Sequence, residues 1–380
     1  MSKIFFNGKD AGHIKALWVT DGTNTTKLAE FGDNTSPGPT DIAALGGSKG
    51  VVFNALGAGH KDGLWFSDGI DGTTAHTYQI KNIANAGVNT TDGFDPHNMT
   101  SFAGQVLFNA NDINNVDGLW ITDGTAVGTT EISTDATHAS NFVAFGSVAL
   151  FEAQDSNGYL QLWRTDGTAT GTYEIKTKLI DDPTDMTVLG RKVLFNGYNP
   201  STGTHELWAT NGTDAGTYKV YGDINPKSMT ALGHDVLFSS GNATGLAIKT
   251  HVGLWISDGT TAGTHEITGI AGASATTMGI DPWSLVTLGN HVLFNGYDSN
   301  NQRGLWITDG TGAGTHELAG TAGLNPTDLT VVGDQVYFNG VDSNGHHGLW
   351  VTDGMSATPI TVVGASNSGL NPTYITHDLL

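Results

Sequence analysis

Cysteine is absent from this chain of 380 residues, which excludes disulfides, thiolate zinc sites and cysteine nucleophiles. Positive charge is scarce: 16 Lys and Arg stand against 37 Asp and Glu, a formal net charge of −21 at pH 7. So acidic a chain offers no basic patch to release counterions from nucleic acid or to hold an anionic membrane, and neither is expected as a partner. Charge of both signs is sparse, 14% of residues against about 25% in an average domain. No apolar run approaches the ~18 residues that would insert in a membrane. The opening stretch MSKIFFNGKD holds no signal-peptide core. Glu is rare beside Asp, 7 against 30, so the acid belongs to turns rather than helices.

What is present is glycine, 53 residues of it, and a repeat. The segment Leu-Trp-x-Thr/Ser-Asp/Asn-Gly recurs eight times, at Trp18, Trp65, Trp120, Trp163, Trp208, Trp255, Trp306 and Trp350. Intervals of 43 to 55 residues match the blade period of a β-propeller and exceed that of most helical solenoids. One copy reads as four short strands: a at Leu329–Val332, b at Gln335–Asn339, c at Leu349–Thr352, and d, clearest one copy earlier, at Thr315–Leu318. Strand b is apolar at consecutive positions (Val193-Leu194-Phe195, Val236-Leu237-Phe238), so both of its faces need cover, which neighbouring blades supply. The chain enters at strand b (Ile4-Phe5-Phe6-Asn7) and finishes with strand a (Thr373-Tyr374-Ile375). The expectation is one all-β domain over residues 1–380: an eight-bladed propeller of four antiparallel strands per blade, closed by the C-terminal strand completing the N-terminal blade.

The stretches LWRTDGTATGT from Leu162, LWISDGTTAGT from Leu254 and LWITDGTGAGT from Leu305 resemble the bacterial ELWxxDGT-repeat family. That resemblance implies a large, acidic, calcium-linked surface or secreted protein and no defined activity. The repeat departs from the pattern at Gly69-Ile70, Asn211-Gly212 and Gly354-Met355. Asp before Gly accepts backbone N–H groups, and Gly takes a positive φ, so DGTxxGT reads as a structural turn between strands c and d.

Aligned on the glycine that ends strand a, Gly38, Asp95, His138, Asp182, Asn225, Asp281, Asn325 and Asn371 are equivalent and should circle one channel mouth. Asp95, Asp182, Asp281, Asn225, Asn325 and Asn371 carry the oxygen donors that calcium takes, and are the candidate metal ligands. The next positions diverge: His97, Lys227 and Trp283 interrupt Thr and Ser, and then Asp41, Asp185, Asp328 and Tyr374 stand among Asn and Ser. These seven are the candidate ligand-binding residues. Trp283 is the one tryptophan of nine outside the repeat and suits stacking on a sugar ring, or else covers the insertion at 269–279. Asp10, Asp112, Asp155, Asp298 and Asp342, with Asn199, recur in the b–c loops, where turn formation and weak calcium binding both fit. The 14 histidines show no ligand spacing.

No nucleophile elbow, zincin helix, phosphate loop or dinucleotide fingerprint occurs. The reading is a lectin- or adhesin-like binding protein for a glycan or other polar ligand, calcium-dependent, with its site at the mouth. A calcium-dependent hydrolase or lactonase using His97 or His138 as general base is one alternative, and a protein-interaction scaffold another. Asp378-Leu379-Leu380 resembles the ending of type I secretion substrates, so uncleaved export is expected, with a cytoplasmic location as the alternative.

Overall fold

The computed structural model describes residues 3–31, 38–57, 61–87, 93–176, 180–241, 252–276 and 279–378. Leu379 and Leu380 of the expected export signal, His60, His251 and residues 277–278 of the insertion lie outside them. Eight four-stranded antiparallel sheets form a ring. Within a blade the order from the channel outward is a, b, c, d, as in Thr327–Val332, Gln335–Val341, His347–Thr352 and Ala357–Pro359 of blade eight. Blade one is completed by Thr373–His377, which pairs with Ile4–Lys9 through Ile4 to His377, Phe5 to Thr376 and Asn7 to Thr373. The expected ring and its closure are therefore observed.

No blade has a core of its own. Each of the eight apolar clusters is shared between two neighbours. Along strand b of blade five, Val193 and Phe195 pack toward blade four while Leu194 packs toward blade six. The repeat's Leu-Trp pair straddles the same divide: Trp306 joins the cluster with blade six and Leu305 the cluster with blade eight. The indole also ties its blade together. Trp306 Nε1 donates to the Gly296 carbonyl at 3.1 Å, and its ring stacks on Phe294 with centroids 6.3 Å apart. A Cβ on Gly340 would lie 2.8 Å from the Trp350 ring, which explains the glycine of Phe-Asn-Gly.

The DGTxxGT turns are structural throughout. Asp123 Oδ1 accepts from Thr125 N and Oγ1, while Thr122 and Thr129 share a hydroxyl–hydroxyl hydrogen bond of 2.7 Å. Gly124 sits at φ 90°, and a side chain on Gly128 would strike the Asp123 carboxylate. Blades five to seven repeat this arrangement around Asn211, Asp258 and Asp309.

Strand a begins two residues earlier than its apolar pattern suggests, at Thr327 rather than Leu329. The cause is a β-bulge, with the register slipping between Thr327 and Thr330. At the bulge a single residue is left-handed in every blade: Asp41, Asn98, Asn141, Asp185, Ser228, Ser284, Asp328 and Tyr374 all lie at φ 50–54°. The alternation breaks there, which hides the start of the strand from a period-2 reading.

Deletion of residues 371–380 should strip the inner strand from blade one and expose the partner edge of Ile4–Lys9. Loss of cooperative melting, with aggregation in gel filtration, is the expected result. Trp306→Ala should cost about 3–5 kcal/mol, as for other large core truncations, measured by denaturant titration. Trp283→Ala, half-buried at the start of its strand, should cost clearly less.

Candidate functional site

Strand b ends and strand a begins at the same end of the ring, so the b–c loops and the starts of strand a share one face. Each cleft between blades on this face collects three side chains. They are the strand-b residue of the Phe-Asn-Gly segment, the residue three before the repeat Trp on strand c, and the pre-proline residue opening the next blade.

In cleft five–six, Asn196 Nδ2 donates to Asn225 Oδ1 at 3.0 Å, and His205 Nδ1 contacts Asn196 Oδ1 at 3.1 Å. In cleft eight–one, Asn339 does the same with Asn371 at 3.3 Å and His347 at 3.0 Å. Asn295 donates to Asn325 at 3.3 Å and to the Pro326 carbonyl at 2.8 Å. Asn225, Asn325 and Asn371 thus clamp neighbouring blades, where the sequence offered them as cation ligands. Asp281 is engaged within its own blade: its carboxylate forms a salt bridge with Arg303. Arg303 also donates to Asn295 Oδ1 at 2.9 Å. Its guanidinium lies 3.9 Å from the Tyr297 ring centroid and 5.6 Å from that of Trp283. Trp283 therefore has a cation on one face, and its buried Nε1 has no hydrogen-bond partner.

The bulge ring is held by its own side chains. Asp41 Oδ1 accepts from Asn98 N at 2.9 Å, Asp185 from Ser228 N at 2.6 Å, and Asp328 from Tyr374 N at 3.3 Å. Each aspartate stitches its own bulge to the next, so these three serve the ring before any ligand. Asp, Asn and Ser fill seven of the eight left-handed places because their short polar side chains tolerate that conformation; Tyr374 is the exception. Its side chain is 43% exposed, and burial of its hydroxyl, then the charges of Asp41 and Asp328, raise its pKa. Lys227 is exposed on the adjoining level of blade six.

His97 Nδ1 contacts the Asp95 carbonyl at 2.8 Å, and its Nε2 lies 3.9 Å from Asp117 Oδ2. Asn109 donates to that same Oδ2 at 3.0 Å, leaving Asn109 Oδ1 and Asp117 Oδ1 buried without partners. Asp62 is raised by burial and then by the Asp95 charge, so these two carboxylates face each other in cleft two–three. His138 is exposed.

Cleft four–five differs from the rest: Glu152 takes the strand-b position, 3% exposed, with Asp182 beside it. Ser140 Oγ and Asn141 Nδ2 both donate to Glu152 Oε2, at 2.9 and 2.6 Å. Burial and then the Asp182 carboxyl push Glu152 up to about 7, against those two hydrogen bonds. Among the described residues no three carboxylate or imidazole side chains gather closely enough to hold one metal ion. The six expected ligands are thus distributed around the ring rather than convergent. Glu152, Arg303, Asp62 and Asp117 escaped the sequence reading. The signal was there, in the residue three before each Trp and in Phe151-Glu152-Ala153 where other copies read Phe-Asn-Gly. Together these residues polarise the face, with acid concentrated on blades two to five and Lys227, Arg303 and Lys15 on blades six, seven and one.

The b–c loop acids close their own turns. Asp298 Oδ1 accepts from Asn300 N and Gln302 N at 2.9 and 2.7 Å, and Asp10, Asp112, Asp155 and Asp342 repeat the pattern. Strand-d residues opposite the Trp stand above them. Lys27 pairs with Asp10 at 2.9 Å in blade one, but Glu131 faces Asp112 in blade three.

No protein-family profile and no curated protein sequence matches this chain. Solved structures match its fold. Puromycin hydrolase aligns with a TM-score of 0.55 at 14% identity, over 87% of this chain and 54% of that one. A structure from a study of two prolyl endopeptidases aligns at 0.56 and 12%, over 84% and 48%. The β-propeller domain of the Trilobed protease from Pyrococcus furiosus aligns at 0.50 and 13%, over 85% and 97%. The chain spans about half the length of the hydrolase and the endopeptidase. At these identities the likeness is one of fold alone.

Burial, then Asp112, hold Glu131 up to about 6, above its ordinary 4.5. A raised folded pKa costs nothing below pH 4.5 and destabilises progressively as pH rises through 6. Glu131→Gln should therefore stabilise the protein at pH 8 by about 1 kcal/mol, below the full linkage value because solvent reaches the group, and change nothing at pH 4. Gln79 already sits over Gly63 as Glu131 sits over Gly118, so the substitution fits. Urea denaturation at the two pH values checks it.

Proposed function

We propose that the protein is a non-enzymatic binding protein that receives a polar ligand, a glycan in the first instance, at the acidic mouth of the channel. The observation that carries this reading is Tyr374, an exposed aromatic held left-handed where every other blade has Asp, Asn or Ser. Bulky side chains avoid that conformation, and residues kept in it against preference cluster at binding sites. An aromatic platform ringed by carboxylates and amides suits the apolar face and hydroxyl rim of a sugar. Lys227, His97 and the free side of Trp283 would set selectivity around it, while Asp328 holds the backbone amide of Tyr374 and Asp41 and Asp185 hold the equivalent amides of Asn98 and Ser228.

Calcium fits as a weakly held stabiliser of the acidic arc rather than as the centre of a reaction. His97 is turned between the Asp95 carbonyl and Asp117. Secretion or surface display agrees with the resemblance to the ELWxxDGT repeats and with the acidic, cysteine-free composition.

A glycan array probed in calcium-containing buffer should retain a defined sugar class, and Tyr374→Ala should weaken that binding at least tenfold, about 1.4 kcal/mol, with little change in melting. Tyr374→Asn, the residue type the bulge prefers, should lose binding while gaining stability. No retained glycan, or wild-type binding by both variants, would remove the reading. Fractionation of the native host should place the protein outside the cell or on its surface.

A further inference from the structure

We infer that the cleft between blades four and five binds one hard divalent cation, with Glu152 and Asp182 as its carboxylate ligands. This deepens the calcium part of the proposed function and is independent of its glycan part.

Glu152 and Asp182 put a carboxylate in both the strand-b and the pre-proline place of a single cleft. Clefts five–six, seven–eight and eight–one carry an amide in each, and amide donates to amide. Glu152 is almost fully buried, and its two oxygens are treated differently. Oε2 is fixed by Ser140 and Asn141, whereas Oε1 is buried with no hydrogen-bond donor. Its neighbour, Asp182, is another acceptor. Glu152 and Asp182 satisfy each other while they share one proton, which burial and the Asp182 carboxyl keep on the pair up to about pH 7; once it is lost, an uncompensated buried carboxylate costs several kcal/mol and another positive species must take its place. Elsewhere the chain supplies that species itself: Lys219 Nζ lies 3.2 Å from buried Glu206, and Arg303 pairs with Asp281. Among the described residues no Lys, Arg or His forms an ion pair with Glu152 or Asp182. Both proposed ligands are carboxylates, which selects calcium or magnesium over softer metals. Two charges make a weak site, of the order of 10⁻⁴–10⁻³ M as in extracellular calcium modules.

The test uses the full chain freed of ions by chelation at pH 8, where Glu152 has lost its proton, then titrated with calcium chloride or magnesium chloride to ~10 mM, above the affinity range of such modules. Melting temperature and calorimetric stoichiometry are read. Wild type should show a saturating rise with one ion per chain. Glu152→Gln and Asp182→Asn should abolish it, and should melt, ion-free, no lower than wild type, since each removes a like charge from a buried pair. Glu152→Asn, the residue at this place in six other blades, serves as a second variant. Asp298→Asn, in a b–c loop, should keep the full response. A wild type indifferent to both ions overturns the site, as does an undiminished response in Glu152→Gln. If glycan binding fails while the ion response depends on Glu152, the glycan reading falls and this site stands.

Discussion

Everything in this molecule depends on the packing of one blade against the next. The apolar residues of strand b alternate between the two neighbours, Phe195 to one side and Leu194 to the other, and the Leu-Trp pair of strand c does likewise. Burial of apolar area is the main favourable term in folding, and here nearly all of it lies at seams between sheets. A lone blade would present two uncovered faces to water. Stability is thus a property of the closed ring, and the strand that completes blade one seals its seam with blade eight through Ile375.

A second constraint governs the mouth. The bulge at the start of strand a turns one residue per blade left-handed, and in three blades its amide donates to an aspartate of the blade before it, as Tyr374 does to Asp328. Backbone geometry therefore selects the residue types at a ring that otherwise invites a functional reading. Variation there is meaningful only where it breaks the backbone's own preference, and Tyr374 does so while Asp41 does not.

Much of the architecture was legible because it is local or periodic. The Trp spacing gave the blade count, consecutive apolar residues in strand b gave burial on both faces, and Asp-Gly gave the turns. The mouth was legible only in outline. Asn371 and Asp281 looked like cation ligands because an isolated sequence shows donor atoms and not their partners. Asn339 and Arg303, which take up those oxygens, come from residues 32 positions before and 22 positions after them. The left-handed bulge was hidden for a related reason. Its Asp, Asn and Ser residues read as solvent-facing polarity, and nothing in a polar side chain alone announces a positive φ.

The closing strand has a mechanical consequence. Ile4 lies opposite His377 in an antiparallel pair, and Lys3 N donates to Asp378 Oδ1, so both ends of the chain leave the ring at the same corner. Force applied through the two ends would load these hydrogen bonds one after another, as in opening a zipper, instead of shearing them together. Such a seam is the weak point of the ring under tension even where thermal stability is high. Flanked by tethers and stretched, the domain would open first at blade one and spill its blades in sequence, yielding slack in increments of about one repeat.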